Sequence, residues 1–196
     1  MLFNCCTACG HRRFVYHSPS LERWSEPCNW DLLANIGDTK AKCASCGQPL
    51  ERMKIRALTV SQPFADLLAS GEKWVENRTR KLNLRGPLAI HAGKGVQYLS
   101  RDELQKYAHG CFVGAGIASG CYSLREIRAN AESKPDDFIP RTSKTWGELA
   151  AHKHVEGPFC ILIENAIPIK PVNAKGAQGV WFYESDKWFE PLESES

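Results

Sequence analysis

Between residues 58 and 92 the hydrophobic pattern changes period twice, from strand to helix and back. Leu58-Thr-Val60 is short, apolar and partly β-branched, which predicts a strand. Phe64, Leu67 and Leu68 then fall at i, i+3 and i+4, one face of a short helix. Ser61 stands where it can cap that helix, and Pro63 suits its first turn. Gly71 supplies a left-handed stop. From Trp74 the period is two, so Trp74, Glu76 and Arg78 point to one side and Val75, Asn77 and Thr79 to the other. One side of this strand carries an aromatic ring, a carboxylate and a guanidinium in a row, with Lys73 just before it. Leu88 to Ala92 is the next predicted strand, running into a Gly93-Lys94-Gly95 turn.

Downstream, Ser100-Arg-Asp-Glu103 has the spacing of a capping box and predicts a helix carrying Leu104 and Tyr107, ended at Gly110. Cys111 to Leu124 is apolar and glycine-rich, a long strand bent at its glycines, with Cys111 and Cys121 as core residues. Residues 125–156 are charged and lack a strand pattern; Trp146-Gly-Glu-Leu-Ala-Ala-His152 is the one short helix expected there. Phe159 to Ile163 reads as a buried strand, Pro168 and Pro171 as an edge or loop, and Gly179 to Tyr183 as a closing strand with Trp181 in the core. The acidic tail is expected to be mobile.

Taken in order, several of these stretches resemble the ASCH domain (activating signal cointegrator homology), a family of the PUA-like superfamily. They are Leu58-Thr-Val-Ser-Gln-Pro-Phe64, Gly71-Glu-Lys-Trp-Val-Glu-Asn-Arg78 and Arg85-Gly-Pro-Leu-Ala-Ile-His-Ala92. Val113-Gly-Ala-Gly-Ile117, Gly157-Pro-Phe-Cys-Ile-Leu-Ile-Glu164 and Lys175-Gly-Ala-Gln-Gly-Val-Trp181 fit it too. The resemblance spans Lys54 to Tyr183 and rests on joint order and spacing rather than on any single motif. It implies an α+β fold: a PUA-like β-barrel with flanking helices and a cleft suited to RNA or modified nucleosides. The charged stretch 125–156 is then an insertion over one end of the barrel.

The amino-terminal segment has its own pattern. Cys6-Thr-Ala-Cys9-Gly and Cys43-Ala-Ser-Cys46-Gly are matching knuckles, each presenting two thiolates to one ion. Together they provide the four tetrahedral ligands of a structural zinc and resemble a zinc ribbon. A redox dithiol is the main rival reading. Cys5 is read as a bystander; His11 and His17 are alternate ligands, read first as exposed strand residues, and Arg13 to Tyr16 is a strand after the first knuckle. Three segments follow: a ribbon over 1–50, the ASCH-like domain over 54–184 and an acidic tail over 185–196.

Composition narrows the class. The chain is 43% hydrophobic and 24% charged, which suits a packed core with a solvated surface. No apolar run reaches membrane-spanning length, and Met1-Leu-Phe leads straight into polar residues with no signal-peptide core, so a cytoplasmic protein is expected. Nine cysteines, an odd number, argue against a complete disulfide framework. Net charge is only +3, but Lys73, Arg78, Arg80, Lys81 and Arg85 face a single acid, Glu76, within thirteen residues. Such local basicity favours a polyanion, against the bland alternative of a solvated loop.

The candidate nucleic-acid contacts are therefore Lys73, Glu76, Arg78, Arg80, Lys81, Arg85, His91 and Lys94. Lys73, Glu76 and Arg78 have three readings: recognition of phosphate and base, acid–base catalysis by Lys73 and Glu76, or a purely structural ion pair. The resemblance implies two activities found in the family, amidohydrolysis of an acylated cytidine with Lys, Thr and Glu, and ribonuclease action. Lys73 matches the family lysine, but Glu76 stands where the threonine is expected, which removes the hydroxyl. The leading expectation is RNA binding, with a modified nucleoside as one form of the ligand. A hydrolase on RNA or an acylated nucleoside is the first alternative. An adaptor that binds a protein partner through the zinc ribbon is the second.

Overall fold

The structure, a computed structural model, describes residues 14–18, 23–24, 41–43, 45, 53–185, 189–190 and 192. Near the amino terminus three strands, β1 (Phe14–Ser18), β2 (Arg23–Trp24) and β3 (Ala41–Cys43), form an antiparallel sheet in the order β2-β1-β3. β1 is the strand expected after the first knuckle. Cys6, Cys9 and Cys46 lie outside the described residues, and of Cys43 only the backbone is placed, opposite Phe14.

The main body is α+β, as the sequence predicts. Its six strands are β4 (Met53–Val60), β5 (Val75–Arg78), β6 (Gly86–Ala92), β7 (Cys111–Ser123), β8 (Phe159–Asn173) and β9 (Val180–Ser185), in the order β5-β8-β7-β6-β4-β9. All pairings are antiparallel except β4 with β6, which run parallel and end together at Val60 and Ala92. Three register shifts bend β7 against β8, each close to one of its glycines.

Helix α1 (Phe64–Ala69) forms where the i, i+3, i+4 pattern places it, and Gly71 is left-handed at φ +81°. Its start differs from expectation. Ser61 makes no cap; instead the Gln62 side chain accepts from the Asp66 N–H and donates to the Asp66 carboxylate. Ala65, Leu68 and Ala69 bury α1 against Leu88, Ile90 and Val113. The helix comes so close to β7 that a Cβ at Gly114 would stand 2.5 Å from the Ala69 Cβ.

Residues 125–156 hold more structure than expected. Helix α2 (Leu124–Ser133) opens on a capping box of Ser123 with Glu126, and α3 (Trp146–Ala151) on one of Thr145 with Glu148. Their Ile127, Trp146 and Leu149 pack with Ile139 on Val75, Cys160 and Leu162. The insertion thus closes the β5–β8 side of the sheet. Each of the fully buried Ile127 and Leu149 contributes about 1.5–3 kcal/mol of transfer free energy.

Three other expectations are corrected. No helix forms after Ser100: its N–H and hydroxyl both donate to the Glu103 carboxylate, but residues 101–106 only turn. With Leu104 and Tyr107 as its main apolar residues, the segment has too little to bury to offset helix nucleation. Pro168 and Pro171 lie inside β8 rather than in a loop. They stand beyond Leu162, where β8 has lost its β5 neighbour and pairs with β7 on one side, so the edge part of the expectation holds. Lastly, the described tail residues are anchored. The Lys170 N–H donates to the Glu190 carbonyl, the Leu192 N–H donates to the Pro168 carbonyl, and Phe189 is buried against Phe112 and Tyr183.

Candidate nucleic-acid interface

The parallel ends of β4 and β6 set the site. Thr59 and His91 are register partners there, one residue before each strand ends. Beyond them the chain turns through Gly93 and Lys94. The exit of β5 brings Arg78, Arg80 and Leu82, the start of β7 brings His109 and Gly110, and the strap from β8 to β9 brings residues 173–179. Together these line a cleft of about 1510 Å³. Among the described residues its charged lining is Arg78, Arg80, Lys94 and Lys175, with no carboxylate. The Lys94 stem rests on Gly110, where a Cβ would stand 3.0 Å from its Cε.

Arg78 joins the cleft to a buried ion network. Its Nη2 donates to the Thr59 carbonyl at 2.8 Å and forms an ion pair with Glu76 Oε1 at 3.1 Å. Lys73 Nζ donates to the other Glu76 oxygen, Oε2, at 2.5 Å, and lies 5.0 Å from the centre of the Phe64 ring. Lys73 and Glu76 are 3% and 8% exposed, so neither reaches the cleft wall. On the opposite side of β5, Asn77 donates to the His154 carbonyl and accepts from the Glu156 and Gly157 N–H groups, tying down the approach to β8.

His91 is 1% exposed. Its Nε2 lies 3.1 Å from the Ala174 carbonyl, which can only accept, so Nε2 carries the proton and Nδ1 is a bare acceptor. Burial holds its pKa below the usual imidazole value, against the opposing pull of that carbonyl. His109 is arranged in mirror fashion: Nδ1 is 3.3 Å from the Gly93 carbonyl, which leaves Nε2 bare. Trp181 braces His91 from behind, 5.6 Å between ring centres, and donates to the Thr59 hydroxyl. It packs on the buried group around Ile55, Phe112 and Phe189, as expected, and is no stacking platform of the cleft.

Of the eight candidate residues, the cleft gathers Arg78, Arg80, His91 and Lys94. Lys73 and Glu76 sit behind it on Arg78. Lys81 instead meets Glu126 of α2 at 3.2 Å, and Arg85 is exposed outside the lining. Sequence patterning missed His109 and Lys175. The Lys175-Gly176 segment carried part of the family resemblance, but nothing in a linear pattern shows that it crosses over His91.

No family model matches the chain, and no curated protein matches it. Solved structures do. The ASCH protein from Zymomonas mobilis is 14% identical, covering 65% of this chain and 86% of its own, with a TM-score of 0.39. A Tyr-to-Phe mutant of that protein is 15% identical over 68% of this chain and 93% of its own, with a TM-score of 0.40. A Ser-to-Ala mutant is 14% identical over 67% and 89%, with a TM-score of 0.38. The structural neighbours are thus ASCH proteins, the family that the motifs at 58–78, 85–92 and 175–181 resemble.

Proposed function

We propose that this protein binds single-stranded RNA, with the backbone of the nucleic acid running through the cleft between Arg80, Lys94 and Lys175. One observation carries the reading: four cations line a cleft that has no carboxylate among the described residues of its wall. Such a wall concentrates positive potential and attracts a phosphate chain. Glycines at 93, 110, 176 and 179 keep the wall low, so that a phosphate can approach the backbone. The test is fluorescence anisotropy with a labelled single-stranded RNA. Arg80→Ala combined with Lys94→Ala should weaken binding at least tenfold at low salt, while Lys81→Ala, outside the cleft, should leave it unchanged. Equal affinity of the double variant and wild type would refute the reading.

A hydrolase is the second reading, and what supports it is the buried lysine–carboxylate contact of Lys73 with Glu76 directly behind Arg78. Turnover of RNA or of an acylated nucleoside that Lys73→Ala abolishes would support it. For the amino-terminal segment we propose one structural zinc on Cys6, Cys9, Cys43 and Cys46, which supports its three-stranded sheet.

A further inference from the structure

Three buried side-chain nitrogens among the described residues lack a hydrogen-bond partner: Arg78 Nε, His91 Nδ1 and His109 Nε2. All three belong to side chains that line the one cleft. Buried polar atoms are paired in the great majority of cases, so three orphans around one cavity call for a common cause. Their chemistry is mixed. Arg78 Nε–H is a donor. The two imidazoles are held by the Ala174 and Gly93 carbonyls in the tautomers that leave His91 Nδ1 and His109 Nε2 as acceptors.

This mixture sorts the possible occupants. A backbone phosphodiester offers only acceptors, which suits the cations and Arg78 but leaves both imidazole lone pairs unmatched. A metal ion suits lone pairs, but no three His, Cys, Asp or Glu side chains come together among the described residues, and the surrounding charge is positive. A nucleotide fits both sets: its phosphate meets the cations, and the N–H groups of its base meet the imidazoles. We propose that the cleft seats one nucleotide unit whose base presents amino hydrogens to His91 Nδ1 and His109 Nε2, so that bases with a free exocyclic amine are selected. This rests on the RNA-binding reading and assigns the base-reading role to the two histidines. Glu76 is unsuited to that role, because both of its oxygens are held by Lys73 and Arg78.

Access to His91 runs past the strap. A Cβ at Gly176 would stand 2.5 Å from His91 Cε1 and 2.8 Å from Nδ1, so the strap lies directly on the imidazole. For a base to reach Nδ1, Gly176 has to move off the ring while Ala174, two residues before it, keeps its carbonyl on Nε2.

The experiment is calorimetric titration of the full chain with AMP, N6,N6-dimethyl-AMP, 2′-deoxy-AMP and inorganic phosphate, repeated with His109→Phe. His109 is half-buried and tolerates a ring of similar size; thermal unfolding checks that the variant is folded. AMP is expected to bind about tenfold more tightly than its dimethylated form, the range for one good contact to a base edge. His109→Phe should shrink that difference and leave phosphate binding unchanged. Equal affinity for AMP and dimethyl-AMP would overturn the inference. So would a preference for AMP over 2′-deoxy-AMP with no effect of dimethylation, since the imidazoles would then be reading the ribose. Either result with RNA binding intact leaves the RNA-binding reading standing, whereas loss of all RNA and nucleotide binding refutes both.

Discussion

Glu76 shows how much one residue's meaning depends on its partners. Alternation along β5 put it on the side of Arg78, and the ion pair between them confirms that geometry. What alternation cannot show is depth. With Lys73 on one oxygen and Arg78 on the other, Glu76 is the centre of a buried network rather than a free carboxylate in the cleft. Removing its charge leaves the Lys73 ammonium buried without a counter-ion, so Glu76→Gln should cost about 3–5 kcal/mol in a denaturant titration. Lys81→Ala breaks a pair that is about half exposed on both sides, and should cost at most about 1 kcal/mol. His91 gives a pH signature. Its native pKa is lowered by burial, so the unfolded chain takes up its proton first as pH falls. The stability that His91 contributes is present above pH 6.5, its unperturbed value, and is lost as pH falls through the lowered native value. A His91→Phe variant should therefore show a shallower loss of melting temperature on acidification below pH 6.5 than wild type. Equal slopes would mean that His91 is not buried neutral.

At the scale of elements, local signals were legible where a period ran long enough or a cap was explicit. The pattern of β4, α1 and β5, the bend of β7 and the position of α3 follow from the residues alone. α2 was legible in principle through Ser123 and Glu126, but its polar sequence, with Ile127 as its one fully buried residue, hid the helix. The capping pair Ser100–Glu103 gave the opposite error, because a cap without an apolar face does not sustain a helix. The tail was misread for a related reason: its acids suggested solvation, while Phe189 carries the anchoring. Phe189→Ala removes a buried ring from the cluster with Phe112 and Tyr183 and should cost about 3–5 kcal/mol. Thermal unfolding checks it; an unchanged midpoint would free the tail from the core. The paired knuckles make an independent forecast. Protein purified under reducing conditions should contain one zinc per chain by elemental analysis, lost in Cys6→Ser, and metal-free protein would remove the ribbon reading.

At the scale of the whole molecule, the cleft is assembled from five separated stretches: the ends of the two parallel strands, the exit of β5, the start of β7 and the strap before β9. The basic run at residues 73–85 announced a polyanion site, and part of it, Arg78 and Arg80, is there. The rest was not legible, because a linear run cannot tell which cations turn toward the cleft and which, like Lys81, turn to a neighbouring helix. Nor could it show that Lys175 joins them from about a hundred residues further along the chain, or that no described acid lines the wall. The salt dependence of RNA binding tests that charge arrangement most directly. Each phosphate contact to a single strand contributes about −0.7 to the slope of log affinity against log salt. Arg80, Lys94 and Lys175 therefore predict a slope of about −2, falling by about 0.7 with each alanine substitution among them. A slope near zero, or one that these substitutions leave unchanged, would contradict the assignment of this cleft to RNA.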